Sequence, residues 1–162
     1  MSSILVRLAE HPDAPAVARL VRALEAHYAG AGTSAPPEPA QAMVERSMAD
    51  REGTRYALAF AGDRAVGLMC FAVLRPGFDL LGLIYLKELF VEEEARGRAV
   101  GQAMMRWLAD HARTHGLGRI DLTTDVGNRG AQSFYERLGA QKLDKVVYRF
   151  TLEPGARSDD ME

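Results

Sequence analysis

The stretch LIYLKELFVEEEARGRAVGQAMMRWL, residues 83–108, constrains the fold more than any other part of the chain. Its first nine residues read as a strand. Two arginines and two glycines, Arg96, Gly97, Arg98 and Gly101, then crowd into six positions. Val100, Met104, Leu108 and Ala112 follow at helical spacing, with Ala103 and Trp107 alongside. A strand that passes through a short turn into an amphipathic helix is a building unit of α/β domains.

The turn also has a chemistry. A helix N-terminus carries unpaired N–H groups and the positive end of the helix dipole, so it attracts anions. Glycine lets the backbone approach a bound group closely, and arginine adds fixed charge with forked donors. The predicted ligand is a diphosphate or similar anion seated on the amides of residues 97–102. A nucleotide P-loop is excluded, because no Gly-Lys-Ser/Thr ending follows. A dinucleotide fingerprint is excluded by the four-residue spacing of Gly97 and Gly101. An ordinary strand–helix turn with solvated arginines would carry the same residues.

The rest of the chain supports an α/β domain with a mixed sheet, in the order β-α-α-β-β-β-α-β-α-β. Residues 4–10 form a first strand. Asp13 and Pro15 start a helix whose apolar face is Val17, Leu20, Val21, Leu24 and Tyr28. AGAGTSAPPEPA is a loop, and Gln41–Arg51 a second helix. RYALAFA and AVGLMCFAVL form a hairpin across GDR. RIDLTT is a strand, and NRGAQSFYERLGA a helix stopped by a left-handed Gly139. KVVYRFTL is the last strand. Residues 1–153 are expected to form one domain, and 154–162 a disordered acidic tail.

At 162 residues the chain can bury a sizeable core. A net charge of −2 gives no basis for nucleic-acid binding. No apolar run reaches membrane-spanning length, and MSSILVRLAEH lacks the long apolar segment of a signal peptide. Cys70, the one cysteine, reads as a core residue. His11, His111 and His115 make no metal-ligand spacing. These features describe a soluble, cytoplasmic protein without a metal and without a membrane or nucleic-acid partner.

RGRAVGQAMM after a strand resembles the pyrophosphate loop of the GNAT superfamily, the acetyl-CoA-dependent N-acyltransferases, whose pattern is Gln/Arg-x-x-Gly-x-Gly/Ala. Arg96 holds the first position and Gly101 the last, while Ala99 replaces the first glycine. If the loop needs a positive φ at Ala99, alanine costs about 1 kcal/mol there. NRGAQSFYERLGA is similar to the family's Asn-x-x-Ala-x-x-x-Tyr helix, through Asn128, Ala131 and Tyr135. YLKELFV is more loosely similar to the matching strand of diamine and polyamine acetyltransferases. The element order resembles the family almost throughout, and the specific part is Ile84–Ala140. The resemblance implies a central sheet of six to seven strands flanked by about four helices.

It also implies acetyl-CoA as co-substrate, held by Arg96, Gly97, Arg98, Ala99, Val100, Gly101 and Gln102 at the diphosphate. The backbone of Leu89, Phe90 and Val91 would hold the pantetheine arm and the thioester. Tyr135 is the implied general acid toward the sulfur; a core tyrosine beside Phe134 is its other reading. Asn128 either bonds the cofactor or simply caps its helix.

Acetylation needs a neutral amine, yet an alkyl amine is only roughly 0.1% neutral at pH 7.4. Glu88, a carboxylate in an apolar strand, is the candidate base, directly or through a water, with burial expected to raise its pKa. Its other readings are a sheet-edge charge or a partner for Lys87. Asp125 could attract the amine or serve the loop, and His27 and Tyr28 stand where the family builds its acceptor pocket; a surface helix terminus is their other reading. The acidic run Glu92–Glu94 would repel phosphates and is expected to point to solvent. The resulting expectation is an N-acetyltransferase for a primary amine of a small, polyamine- or amino-acid-like molecule. Peptide or protein acetylation and a non-catalytic acyl-CoA sensor are the alternatives. Dimers are common in the family, so the resemblance allows a homodimer.

Overall fold

The computed structural model describes residues 3–30, 32, 34–77 and 80–154. Except for Pro154, the tail expected to be disordered lies outside the described residues. Contacts divide the chain into two units, Met1–Asp125 and Val126–Glu162.

The first unit holds one sheet with the strand order β1-β2-β3-β4-β5. The strands are β1 (Ile4–Leu8), β2 (Arg55–Ala61), β3 (Arg64–Leu74), β4 (Gly82–Val91) and β5 (Leu117–Leu122). β1 to β4 pair antiparallel, and β4 pairs with β5 in parallel. Three helices belong to this unit: α1 (Ala14–Ala29), α2 (Pro37–Ala49) and α3 (Val100–Thr114).

Side chains alternate between the two faces of a strand, and both faces here are covered. Tyr56, Leu58, Leu68, Cys70 and Phe90 pack with Val17 and Leu20 of α1 and Val44 of α2. Ala57, Ala59, Met69, Phe71, Ile84 and Leu86 pack with Val100, Met104 and Leu108 of α3. Burial on both sides explains why LMCF is unbroken by polar residues. α3 is held by this packing: full burial of a Val, Leu or Met side chain is worth about 1.5–3 kcal/mol, more than helix propensity supplies. Gly67 lets α3 come close, since a Cβ there would stand 2.7 Å from the Met104 sulfur.

The mixed α/β architecture and the strand–turn–helix unit agree with the sequence reading. α2 starts at Pro37 rather than Gln41, because its first turn needs no N–H from Pro37 or Pro39. β5 lies two residues earlier than expected, after Gly116 with φ +67°. Asp13 stands at the N-cap of α1 but makes no side-chain cap bond; its carboxylate accepts from Arg7, at 2.7 and 2.9 Å, and from the Glu10 N–H.

In the second unit, α4 (Arg129–Arg137) is the helix of the second motif, and Gly139 follows it at φ +93°. KVVYRFTL is not a strand. A strand exists through its ladder partner, and the described residues of this unit include no second strand to pair with. The described residues therefore contain five strands and four α-helices, fewer strands than expected.

Candidate active site

β4 carries an irregularity at the centre of the unit. Cys70 pairs with Glu88, and the next β3 residue, Phe71, pairs with Leu86. Lys87 is thus an extra residue on β4, a bulge that bends the strand and re-aims its neighbours. On the other side of β4, the parallel ladder to β5 runs only from Gly82 to Leu86. β4 itself continues to Val91. Among the described residues no strand pairs with that side of Lys87–Val91. Backbone groups of a strand require hydrogen-bond partners, so Leu89, Phe90 and Val91 offer an amide-bearing ligand an open edge.

The predicted anion loop begins where β4 ends. A single 3-10 turn over Glu93–Ala95 buries Ala95. Gly97 then adopts φ +75°, and Ala99, the N-cap of α3, adopts φ +60° and ψ 19°. The left-handed alanine is the costly case weighed from the sequence. The first intrahelical bond runs from Ala103 N–H to Ala99 at 3.0 Å, which leaves the N–H groups of Val100, Gly101 and Gln102 without an intrahelical acceptor. Arg98 is exposed. Arg96 donates from Nε to the Val91 carbonyl at 2.9 Å, and its guanidinium lies 5.9 Å from the Phe90 ring centre.

Glu93 and Glu94 are exposed, as expected. Glu92 is not: it is only 9% exposed and accepts bonds from Arg19 and from Arg64, the latter at 3.1 Å. Two guanidiniums neutralise a carboxylate that was expected to point to solvent.

A cavity of about 350 Å³ lies beside the bulge, lined by Leu24, Glu25, Tyr28, Ala29 and Glu88. It brings the last turn of α1 to β4. The His27 ring stands 5.5 Å from Tyr28 and 6.1 Å from Phe90. Partial burial, then the charges of Glu88 and Asp125, push the Tyr28 phenol above its usual value, against an opposing effect of Lys87. Tyr28, Glu88 and Asp125 therefore share one electrostatic environment.

Glu88 has a quarter of its side chain exposed and pairs with Lys87 at 3.0 Å. This is the Lys87 partnership weighed above rather than deep burial. The bond to Glu88 raises the lysine's pKa, burial acting against it. Cys70 behaves as a core residue: burial, aided by Glu88, pushes its thiol up to about 12.

Asn128 and Tyr135 belong to the second unit. Asn128 caps α4, its Oδ1 accepting the Ala131 N–H at 3.1 Å. Tyr135 lies on the Asn128 face of the helix, with its ring 5.1 Å from Phe134. The sequence reading missed Leu24, Glu25, Ala29 and the bulge at Lys87. Helical spacing from Tyr28 marks Leu24 and Glu25, whereas no residue type signals the bulge.

The model of the acetyltransferase (GNAT) family matches residues 18–140. The D-amino-acid N-acetyltransferase HPA3 of Saccharomyces cerevisiae is 30% identical, over 72% of this chain and 73% of that protein. The N-alpha-acetyltransferase 30 of Schizosaccharomyces pombe is 33% identical over 59% of this chain. The chain spans less than two thirds of that relative, 62% of its length. An integron cassette protein from V. cholerae superposes with a TM-score of 0.85 at 27% identity, covering 93% of both chains. The matched region contains β4 with its bulge, the left-handed loop and the helix of the second motif, and with it the chain belongs to the acetyltransferase (GNAT) family.

Proposed function

We propose that the chain moves the acetyl group of acetyl-CoA to a primary amine of a small molecule by direct attack. One observation carries this reading. β4 and the loop after it, residues 87–102, carry an open strand edge, an anion-seeking helix start and Glu88, which faces the end of α1 across the cavity.

The residues fit the co-substrate. Arg96–Gln102 supply N–H groups and positive charge for a diphosphate, and Leu89–Val91 supply the unpaired strand edge for an amide-containing arm. Acetyl-CoA brings an activated thioester. Tyr28, Asp125 and Glu88 favour a protonated amine in the cavity, with His27 at its margin. Glu88, directly or through a water, takes the amine's proton as the C–N bond forms and the C–S bond breaks. Tyr135 gives its proton to the leaving sulfur, and Asn128 holds α4 at its start. Oriented N–H groups of β4 would stabilise the developing oxyanion.

The cavity's carboxylates favour amines with no negative charge beside the nitrogen. The S. pombe relative's printed name, N-alpha-acetyltransferase, keeps peptide N-termini as the second reading. A cytoplasmic location and a homodimer complete the proposal. A panel of polyamines, amino acids, aminoglycosides and peptides, followed by CoA thiol release, tests it. Turnover with small amines is expected. Turnover with peptides alone would move the protein to the second reading, and CoA binding without turnover would make it a sensor.

A further inference from the structure

Among the described residues, Glu92 is the buried charged side chain. It is the first residue after β4, five positions before Gly97. Both its ends are fixed. Its N–H donates to the Val66 carbonyl at 2.9 Å, and its carboxylate accepts from Arg64 Nε at 3.3 Å and Arg64 Nη2 at 3.1 Å. Arg19, on α1, bonds the same carboxylate with one nitrogen and the Ala65 carbonyl with another. Helix α1 and the start of β3 thus grip one residue at the entrance to the loop.

The grip is passed on over a short path. Ala95 N–H donates to Glu92 at 3.0 Å, and Arg96 N–H to Glu93 at 3.2 Å. Arg96 Nε then turns back to Val91. Two backbone bonds and one side-chain bond thus brace residues 92–96, immediately before the left-handed Gly97. The arrangement also solves an electrostatic conflict. A bare carboxylate this near an anion loop would oppose its ligand, and the two guanidiniums cancel that charge where it stands.

We propose that Glu92, clamped by Arg19 and Arg64, is a positioning residue: it sets the direction in which the anion loop leaves β4, so that the loop amides stand ready for the diphosphate of CoA. The proposal rests on the functional reading above. Pre-organisation lowers the ordering cost of binding, so loss of the clamp should weaken ligands that use the loop and spare those that do not.

The test compares calorimetric binding of CoA and of pantetheine, which lacks the diphosphate and nucleotide, to the full chain. Glu92→Ala should raise the Kd for CoA by about tenfold, within the range of indirect effects of this kind, and leave pantetheine unchanged. Glu92→Gln keeps a carbonyl oxygen for Arg19 and should recover part of the loss. Arg64→Ala removes a largely exposed partner and should give a smaller loss, again confined to CoA; with Glu92→Gln it reads the same contrast if Glu92→Ala does not fold. Equal weakening of both ligands, or unchanged CoA binding in the folded variants, would make Glu92 a packing contact only and overturn the proposal. A wild type that binds neither ligand would instead overturn the functional reading itself.

Discussion

At the scale of single residues, Ala99 shows what the sequence could and could not convey. Its departure from the family's glycine is visible in the sequence, and so is the price of a positive φ. Only the structure shows that the price is incurred, with φ +60°. Ala99→Gly should therefore stabilise the fold by about 1 kcal/mol, a rise of about 2–4 °C in Tm for a chain of this size. Differential scanning calorimetry measures it, and an unchanged or lower Tm would show that the loop relaxes away from that conformation. Glu88 and Glu92 were both legible as carboxylates at the end of an apolar strand. Their partners were not. Glu92 meets Arg19 across 73 positions of sequence, and no local pattern encodes that contact. Glu88 meets Lys87 because the bulge turns neighbouring side chains together. If Glu88 is the base, kcat/KM should rise with pH through an acidic limb that Glu88→Gln abolishes. A limb that persists in the variant and tracks the acceptor's own pKa would remove Glu88 from the mechanism.

At the scale of elements, periodicity did most of the work. The stripe of α3 was read correctly at Val100, Met104, Leu108 and Ala112, all buried. It was silent about His111, beside that stripe. His111 stacks on Trp107 at 4.9 Å and meets Phe71 at 5.7 Å and His115 at 4.2 Å. Burial first, then His115 and Arg55, lower the His111 pKa. The folded state therefore prefers the neutral ring. Its contribution is complete above the unfolded histidine value of about 6.5 and is lost as the pH falls below it. Urea titrations between about pH 7 and pH 5 should show stability declining, and His111→Gln should flatten that decline. An equal slope in the variant would assign the acid sensitivity to other groups. The prolines of α2 misled the reading in the opposite way: Pro37 and Pro39 look like loop residues but fit a first helical turn.

At the scale of the whole molecule, the layered α/β order was legible because both faces of β2 and β3 are apolar and helices flank them in sequence. The strand number was not. KVVYRFTL has the composition of a strand, but composition cannot supply the neighbour that makes one. The second unit also contains Tyr135, the acid of the proposed reaction. Tyr135→Phe keeps the ring and removes the hydroxyl, so acetyl-CoA affinity should hold. Loss of a positioned acid should lower kcat by about 10²–10⁴ and leave KM little changed. A core tyrosine would instead cost about 1 kcal/mol of stability with turnover intact.

The most direct measurement is a single-turnover reaction of the wild-type chain with acetyl-CoA carrying a labelled acetyl group, quenched and resolved by mass spectrometry across the small amines. The label should appear on the amine nitrogen in amounts equal to the free CoA thiol, at a rate that rises with enzyme concentration. Thiol released without acetylated amine, or tight CoA binding with neither product for any amine or peptide, would contradict acetyl transfer at this site.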